Sequence, residues 1–371
     1  MSIGALAALA GMPAMSPRRL RHLLDHHEPA DALARLQAGR PLHAMFMRSV
    51  RGDGVAVLRA QAEQASAGRS ADDCERYGVD VIARCDPRFP PQLIVDPDPP
   101  AVLFTRGRLD PLDARRVGII GTRNATAAGR ATASELGIAL AGEGVTVVSG
   151  LARGIDAAAH RGVRSAGIAN CAVGVVGNGL DSPYPKQNAE LWEWVGANGL
   201  LISEWPPGVE PEAWRFPLRN RILAALCELL VVVESRERGG SLVTVREAIN
   251  RGVDVMAVPG SPRSRASEGT NQLLVDGAAP VTSAADVMAA LGLDHRRQRE
   301  LPFDPRPELD RLQAGVLAAC SELPSTLDML VLELGRPIAE IALALARLER
   351  DGRLIEAGGW FESTGSRLEQ P

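Results

Sequence analysis

The chain has 371 residues, of which 46% are apolar, with 41 Lys plus Arg against 45 Asp plus Glu. At roughly 100–200 residues per domain this allows two or three cores. The net charge of −4 excludes a surface coated in positive potential, so any polyanion site has to be local. No apolar run reaches the roughly 20 residues that span a bilayer. The first residues lack the basic segment of a secretory leader, so a cytoplasmic location without membrane attachment is expected.

Cys74, Cys85, Cys171, Cys227 and Cys320 are scattered and form no C-x-x-C pair, which signals neither a disulfide framework nor a zinc site. They read as buried thiols. Lys186 is the single lysine, so no G-x-x-x-x-G-K-S/T loop exists and P-loop ATPase chemistry is excluded. Neither a cofactor nor a metal is expected.

In chain order, residues 1–65 read as short helices. Leu6, Leu9 and Met12, then Leu20, Leu23 and Leu24, recur at helical spacing, and Ser16 before Pro17 marks a helix start. This part resembles small helical modules of the sterile-alpha-motif or helix-hairpin-helix kind, although the usual Gly-rich hairpin is absent. Residues 66–115 hold apolar runs at 79–83 and 101–105 around a Pro-rich loop, read as an extension packing against a main sheet.

From Arg116 short β-branched runs alternate with longer helical ones, the pattern of a parallel sheet with crossover helices. The expected strands are 117–120, 145–149, 169–176, 200–204, 229–234 and 254–258. Two phosphate-type turns follow consecutive strands, one with Gly121, Thr122, Arg123 and Asn124, the other with Ser149, Gly150, Arg153 and Gly154. In a parallel sheet such turns open on one crevice, where helix N-termini present free amide hydrogens. Gly121, Gly150 and Gly154 are expected to let backbone approach a phosphate.

A third stretch, 214–222, sets Arg215, Arg219, Arg221, Asn220, Trp214 and Phe216 within eight positions. Arginine forks grip phosphates and aromatic rings stack unpaired bases. The competing reading is a helix start whose arginines pair with Glu204, Glu210 and Glu212. A fourth stretch, 234–244, places Gly239, Gly240 and Ser241 at another helix start on the same crevice. A fifth, 258–271, is a Pro/Gly loop or a further rim.

Asp156 and His160 stand four apart on a helix and could form an acid/base pair. With neither a nucleophile nor a metal partner evident, capping by Asp156 and a satisfied core histidine fit better. Residues 294–307 form a linker. Beyond it, helix-like segments at 308–320, 325–334 and 338–350 and a β-ribbon over 353–362 follow the order of a winged helix. From residue 305 onward there are 7 Arg and 11 Asp plus Glu, so this module has little electrostatic drive toward DNA.

The ordered set of Gly121-Thr122-Arg123, the segment 149–160, Tyr184-Pro185, 203–208, 216–222 and 258–260 resembles the DNA-processing protein A family (DprA, also called Smf). The resemblance implies an extended Rossmann-like α/β core, sequence-independent binding of single-stranded DNA, dimerisation, and loading of the RecA recombinase onto incoming DNA in natural transformation. No catalytic residue is implied. Carried over by position, Arg123 would hold a phosphate, Phe216 would stack a base, and Arg219 and Arg221 would line the strand's path. Thr122, Ala128 and Gly239 depart from the commoner Ser, Tyr and Ser without removing the basic pocket.

Two other functions compete. A LOG-like nucleotide phosphoribohydrolase carries P-G-G-x-G-T-x-x-E. The segment from Gly239 to Glu247 echoes that motif but lacks its third glycine and is one residue longer, which turns Glu247 about 100° from its place. A mononucleotide-binding regulator is the third class.

Overall fold

A computed structural model describes residues 2–50, 52–169, 171–293, 307 and 309–363. Met1–Asp294 form one compact unit and His295–Pro371 a second. The linker expected at 294–307 lies outside the described residues apart from Pro307.

The first unit opens with six helices: α1 (Ile3–Gly11), α2 (Pro17–Leu24), α3 (Pro29–Gln37), α4 (Ala44–Ser49), α5 (Gly54–Gln64) and α6 (Ala67–Arg76). Ser16 caps α2, its hydroxyl accepting from the Arg19 amide, with Pro17 in the first turn. The helical part continues to Arg76, beyond the boundary expected at 65. Helix α6 buries only Cys74 of its ten residues, so its sequence carries little apolar signal. It packs on α1 through Gly4, where a Cβ would stand 2.0 Å from the Ala67 carbonyl oxygen. Cys74, Cys171, Cys227 and Cys320 are buried and Cys85 is exposed.

Next come β1 (Asp80–Ala83), α7 (Pro91–Ile94), β2 (Val102–Gly107), β3 (Arg116–Ile120), α8 (Ala127–Gly142), β4 (Thr146–Ser149), α9 (Ile155–Ser165) and β5 (Ala172–Val175). They are followed by α10 (Ala189–Asn198), β6 (Leu200–Ser203), α11 (Arg215–Leu226), β7 (Leu229–Val232), α12 (Ser241–Ile249), β8 (Asp254–Ala257), α13 (Glu268–Val275), β9 (Ala279–Pro280) and α14 (Ala284–Ala290). The strands make one nine-stranded sheet in the order β1-β2-β6-β5-β4-β3-β7-β8-β9. Pairing is parallel from β6 through β9, and β2 and β1 extend one edge antiparallel.

Strands β3 to β7 are buried along their whole length. A parallel sheet covered by helices on both faces requires such unbroken apolar strands. Two apolar clusters fill its faces, one including Val117, Leu136, Val147 and Trp192, the other Ile120, Val148, Ile222 and Leu230. The chain starts the parallel part at β3, runs outward to β6, then returns to place β7 on the other side of β3. The crevice beyond the carboxyl ends of β3 and β7 is therefore the switch point at which α/β sheets bind ligands.

The second unit contains α15 (Arg311–Glu322), β10 (Ser325–Thr326), α16 (Leu327–Leu334), α17 (Ile338–Arg350), β11 (Leu354–Ala357) and β12 (Trp360–Ser363). Its strands form an antiparallel sheet in the order β10-β12-β11, around a core of Val316, Leu330, Ile341, Leu345, Leu348 and Leu354. This is the expected winged-helix order. No helix among the described residues is long and apolar enough to cross a membrane.

Candidate nucleic-acid interface

A crevice of about 570 Å³ opens at the switch point, lined by Gly121, Thr122, Arg123 and Asn124 after β3, by Phe216, Arg219 and Asn220 of α11, and by Arg236, Arg238, Gly240 and Ser241 after β7. A second hollow of about 320 Å³ adjoins it, lined by Gly150, Arg153, Tyr184 and Gln187, and shares Arg123, Phe216 and Arg219 with the first. Both phosphate-type turns thus reach one composite site, as their spacing in the sequence predicts.

The glycines of those turns also make room for other parts of the protein. A Cβ on Gly121 would stand 2.5 Å from Ile155 and 2.8 Å from the Glu234 carbonyl oxygen. On Gly154, at φ +77°, it would meet the Thr122 carbonyl oxygen at 2.2 Å, and on Gly150 the Arg219 guanidinium at 2.1 Å. At all three positions a side chain would collide with protein groups. The two turns are tied by the Ile155 amide, which donates to the Thr122 carbonyl at 3.3 Å, and the first is tied to the segment after β7 by the Thr122 amide, which donates to the Glu234 carbonyl at 2.8 Å.

Helix α8 would present its N-terminus to a phosphate in a dinucleotide-binding fold. Here the Glu234 carboxylate takes that place. It accepts from the Thr126 amide at 2.9 Å and from the Thr126 hydroxyl, and it sits where a side chain on Gly129 would be. Asp156 does the same for the turn after β4, accepting from the Gly150 amide at 3.1 Å. Burial pushes the Asp156 carboxyl above its usual range, against the pull of the Arg219 charge.

Helical spacing explains which residues of the third stretch face the crevice. Phe216, Arg219, Asn220 and Leu223 lie at i, i+3, i+4 and i+7 and line it. Arg221 is about 100° from Asn220 and lies outside: its guanidinium holds both Glu204 oxygens at 2.7 and 2.8 Å and Asp98 at 3.1 Å. The expected strand contact of Arg221 is replaced by the ion pair with Glu204. Ser149 also stands apart, its buried hydroxyl donating to the Ile119 carbonyl at 2.6 Å and so tying β4 to β3.

Arg219 is buried at the floor. It donates to the carbonyls of Gly150 (3.1 Å) and Val175 and to the Asn220 side chain at 3.0 Å. Burial lowers its pKa to about 10, so it stays charged at neutral pH. Arg123 is exposed, and its guanidinium lies 5.3 Å from the Phe216 ring centre. Tyr184 stacks on the same ring at 5.4 Å and 28°. Arg153, Arg236 and Arg238 are exposed, and their guanidinium groups make no hydrogen bond or ion pair with the described residues. Cation–aromatic surface and uncompensated positive charge are therefore combined in a near-neutral protein, a pairing that suits unstacked nucleotides.

Sequence reasoning left out three of these side chains. Tyr184 stands in a motif that implies no role for it, because its stacking partner is 32 positions away. Arg236 and Arg238 lie in the fourth stretch, whose glycines carry the stronger local signal. Glu247, the glutamate of the hydrolase alternative, lies outside the crevice and pairs with Arg251 at 2.5 Å. His160 is buried, with Nε2 3.4 Å from the Val147 carbonyl and Nδ1 unpartnered, while Asp156 faces Gly150 and Arg219, so the two are no acid/base pair.

The DNA recombination-mediator protein A model matches residues 80–292. Among curated relatives, Protein Smf of Synechocystis sp. is 34% identical over 309 residues, covering 74% of this chain and 77% of its own. A putative DNA processing protein DprA of Mycobacterium tuberculosis is 40% identical over 278 residues, covering 70% of each. Among solved structures, Streptococcus pneumoniae DprA is 30% identical with a TM-score of 0.66, covering 78% of this chain and 98% of that one. Helicobacter pylori DNA processing protein A, solved for its single-stranded DNA binding mode, is 27% identical with a TM-score of 0.53, covering 58% and 96%. The chain belongs to the DNA recombination-mediator protein A family.

Proposed function

We propose that the chain binds single-stranded DNA independently of sequence, acting by binding and not by catalysis. The observation that carries this reading is the Arg123–Phe216–Tyr184 assembly beside the unpaired Arg153, Arg236 and Arg238. Gly121, Thr122, Arg123, Asn124, Gly150 and Arg153 would meet the strand from one side. Arg219, Asn220, Gly240 and Ser241 would meet it from the other. A base reaching Phe216 either displaces Tyr184 or continues the stack on its exposed face. The Helicobacter pylori relative, described as binding single-stranded DNA, supports the reading. A duplex keeps its bases stacked inside and offers nothing to these rings, so single strands are favoured.

The biological role that fits is protection of incoming DNA and loading of RecA during natural transformation, with a homodimer doubling the single small site through effective concentration. The test is anisotropy of a labelled single-stranded oligonucleotide, competed with duplex and with nucleoside monophosphates, followed by a RecA strand-exchange assay. Retention against both competitors supports strand binding. Displacement by a monophosphate favours the mononucleotide regulator, and base release from it the hydrolase. RecA filaments that form no faster with the protein present would remove the loading role.

A further inference from the structure

We propose that Trp214 is a second base-stacking platform, outside the crevice, which takes a nucleobase of the strand as it passes over the rim. The inference rests on the single-strand reading above and extends its footprint beyond the Phe216 site.

Trp214 immediately precedes α11 and is 44% exposed, an unusual place for so large an apolar ring. It is held rather than loose. Its Nε1 donates to the Glu212 carboxylate, and the buried Trp205 meets it edge-on at 6.4 Å and 83°. The Arg215 guanidinium lies 4.9 Å from its ring centre and 5.8 Å from that of Trp205. Arg215 is itself fixed by the Glu210 carbonyl and by the Glu212 carboxylate at 3.2 Å, so Glu212 is charge-compensated. The indole is thus oriented by three neighbours while much of its surface stays in water. Hydrophobic packing would have turned it inward, and a stacking platform needs it outward and rigid.

Its position beside the crevice selects the occupant. Pro211, Ala213, Phe216 and Pro217, all within three positions of Trp214, line the crevice. A chain whose phosphates lie along Arg123, Arg236 and Arg238 and which leaves over Pro211 and Ala213 brings its next bases to the indole. Phe216 and Trp214 then resemble each other: each ring has a guanidinium against it, Arg123 for one and Arg215 for the other.

The experiment measures anisotropy of the full chain with a thymidine tetranucleotide, short enough for the crevice alone, and with a pentadecanucleotide that crosses the rim. Trp214→Ala is expected to weaken the longer strand about tenfold, within the range for one base–aromatic stack, and to leave the tetranucleotide within about twofold. Trp214→Phe is expected to restore most of the loss, and the salt dependence is expected to stay unchanged because no phosphate contact is removed. Equal binding of the long strand by Trp214→Ala and the parent chain would overturn the proposal. Equal weakening of both strands would overturn it too, since Trp214 would then act only by shaping the crevice. If the parent chain binds neither strand, the single-strand reading itself fails, a result distinct from either.

Discussion

The Arg123 guanidinium lies 5.3 Å from the centre of the Phe216 ring, so the turn after β3 and the first turn of α11 present charge and aromatic surface as one unit. The two residues are 93 positions apart. They meet because β7 returns beside β3 and draws the crossover helix α11 across the mouth of the crevice.

Removing that charge has a defined signature. Arg123→Ala is expected to weaken binding to all single-stranded sequences alike and to lower the slope of log affinity against log salt by about 0.7, the loss of one phosphate contact. Oligonucleotide titrations at three salt concentrations check this. An unchanged slope with unchanged affinity would take Arg123 out of the interface.

Arg221 is expected to matter for folding. Arg221→Ala strands the buried Glu204 carboxylate, whose pKa burial already raises, and is expected to cost about 3–5 kcal/mol in urea unfolding. Replacing both residues together, Arg221→Met with Glu204→Leu, should recover most of that loss. A double variant as unstable as the single one would contradict the ion-pair assignment.

His160 gives a pH dependence. Burial lowers its pKa to about 4 from 6.5, so between those values the unfolded chain takes up a proton that the folded chain refuses. Its contribution is full above pH 6.5 and lost as pH falls toward 4, at most about 3 kcal/mol by linkage. Asp156 and Glu204, with raised pKa values, run the opposite way, so the histidine is isolated by difference. Relative to His160→Asn, the parent chain should lose stability from pH 7 to pH 5 in urea melts. Parallel pH profiles would refute the assignment.

At Gly129 a methyl group is expected to act at a distance. The added Cβ of Gly129→Ala would stand 2.3 Å from the Glu234 carboxyl carbon and push that side chain off Thr126. Overpacking of this kind costs about 1–3 kcal/mol. Loss of the cap would also loosen the Thr122–Glu234 tie, so strand affinity should fall with stability. A variant as stable as the parent would show that Glu234 has room to move.

The acidic second unit should be dispensable for the strand itself. Ending the chain at residue 294 is expected to leave most single-strand affinity in place, as measured by the same anisotropy. A collapse of affinity would assign phosphate contacts to the winged helix.

The sequence by itself determined the strands, because a parallel sheet buried on both faces leaves short apolar runs, and every strand expected from 117 to 258 lies within three residues of its place. It also determined that two Gly-containing turns share one crevice, since both follow consecutive parallel strands. Only the tertiary structure decided what those glycines face, which arginines are spoken for, and which ring stacks on Phe216. Gly150 and Arg219, Glu234 and Gly129, and Tyr184 and Phe216 are pairs separated by 69, 105 and 32 positions. A local pattern names the residue types at a turn, but whether an arginine is free for phosphate depends on the carboxylates and carbonyls that the folded sheet brings against it.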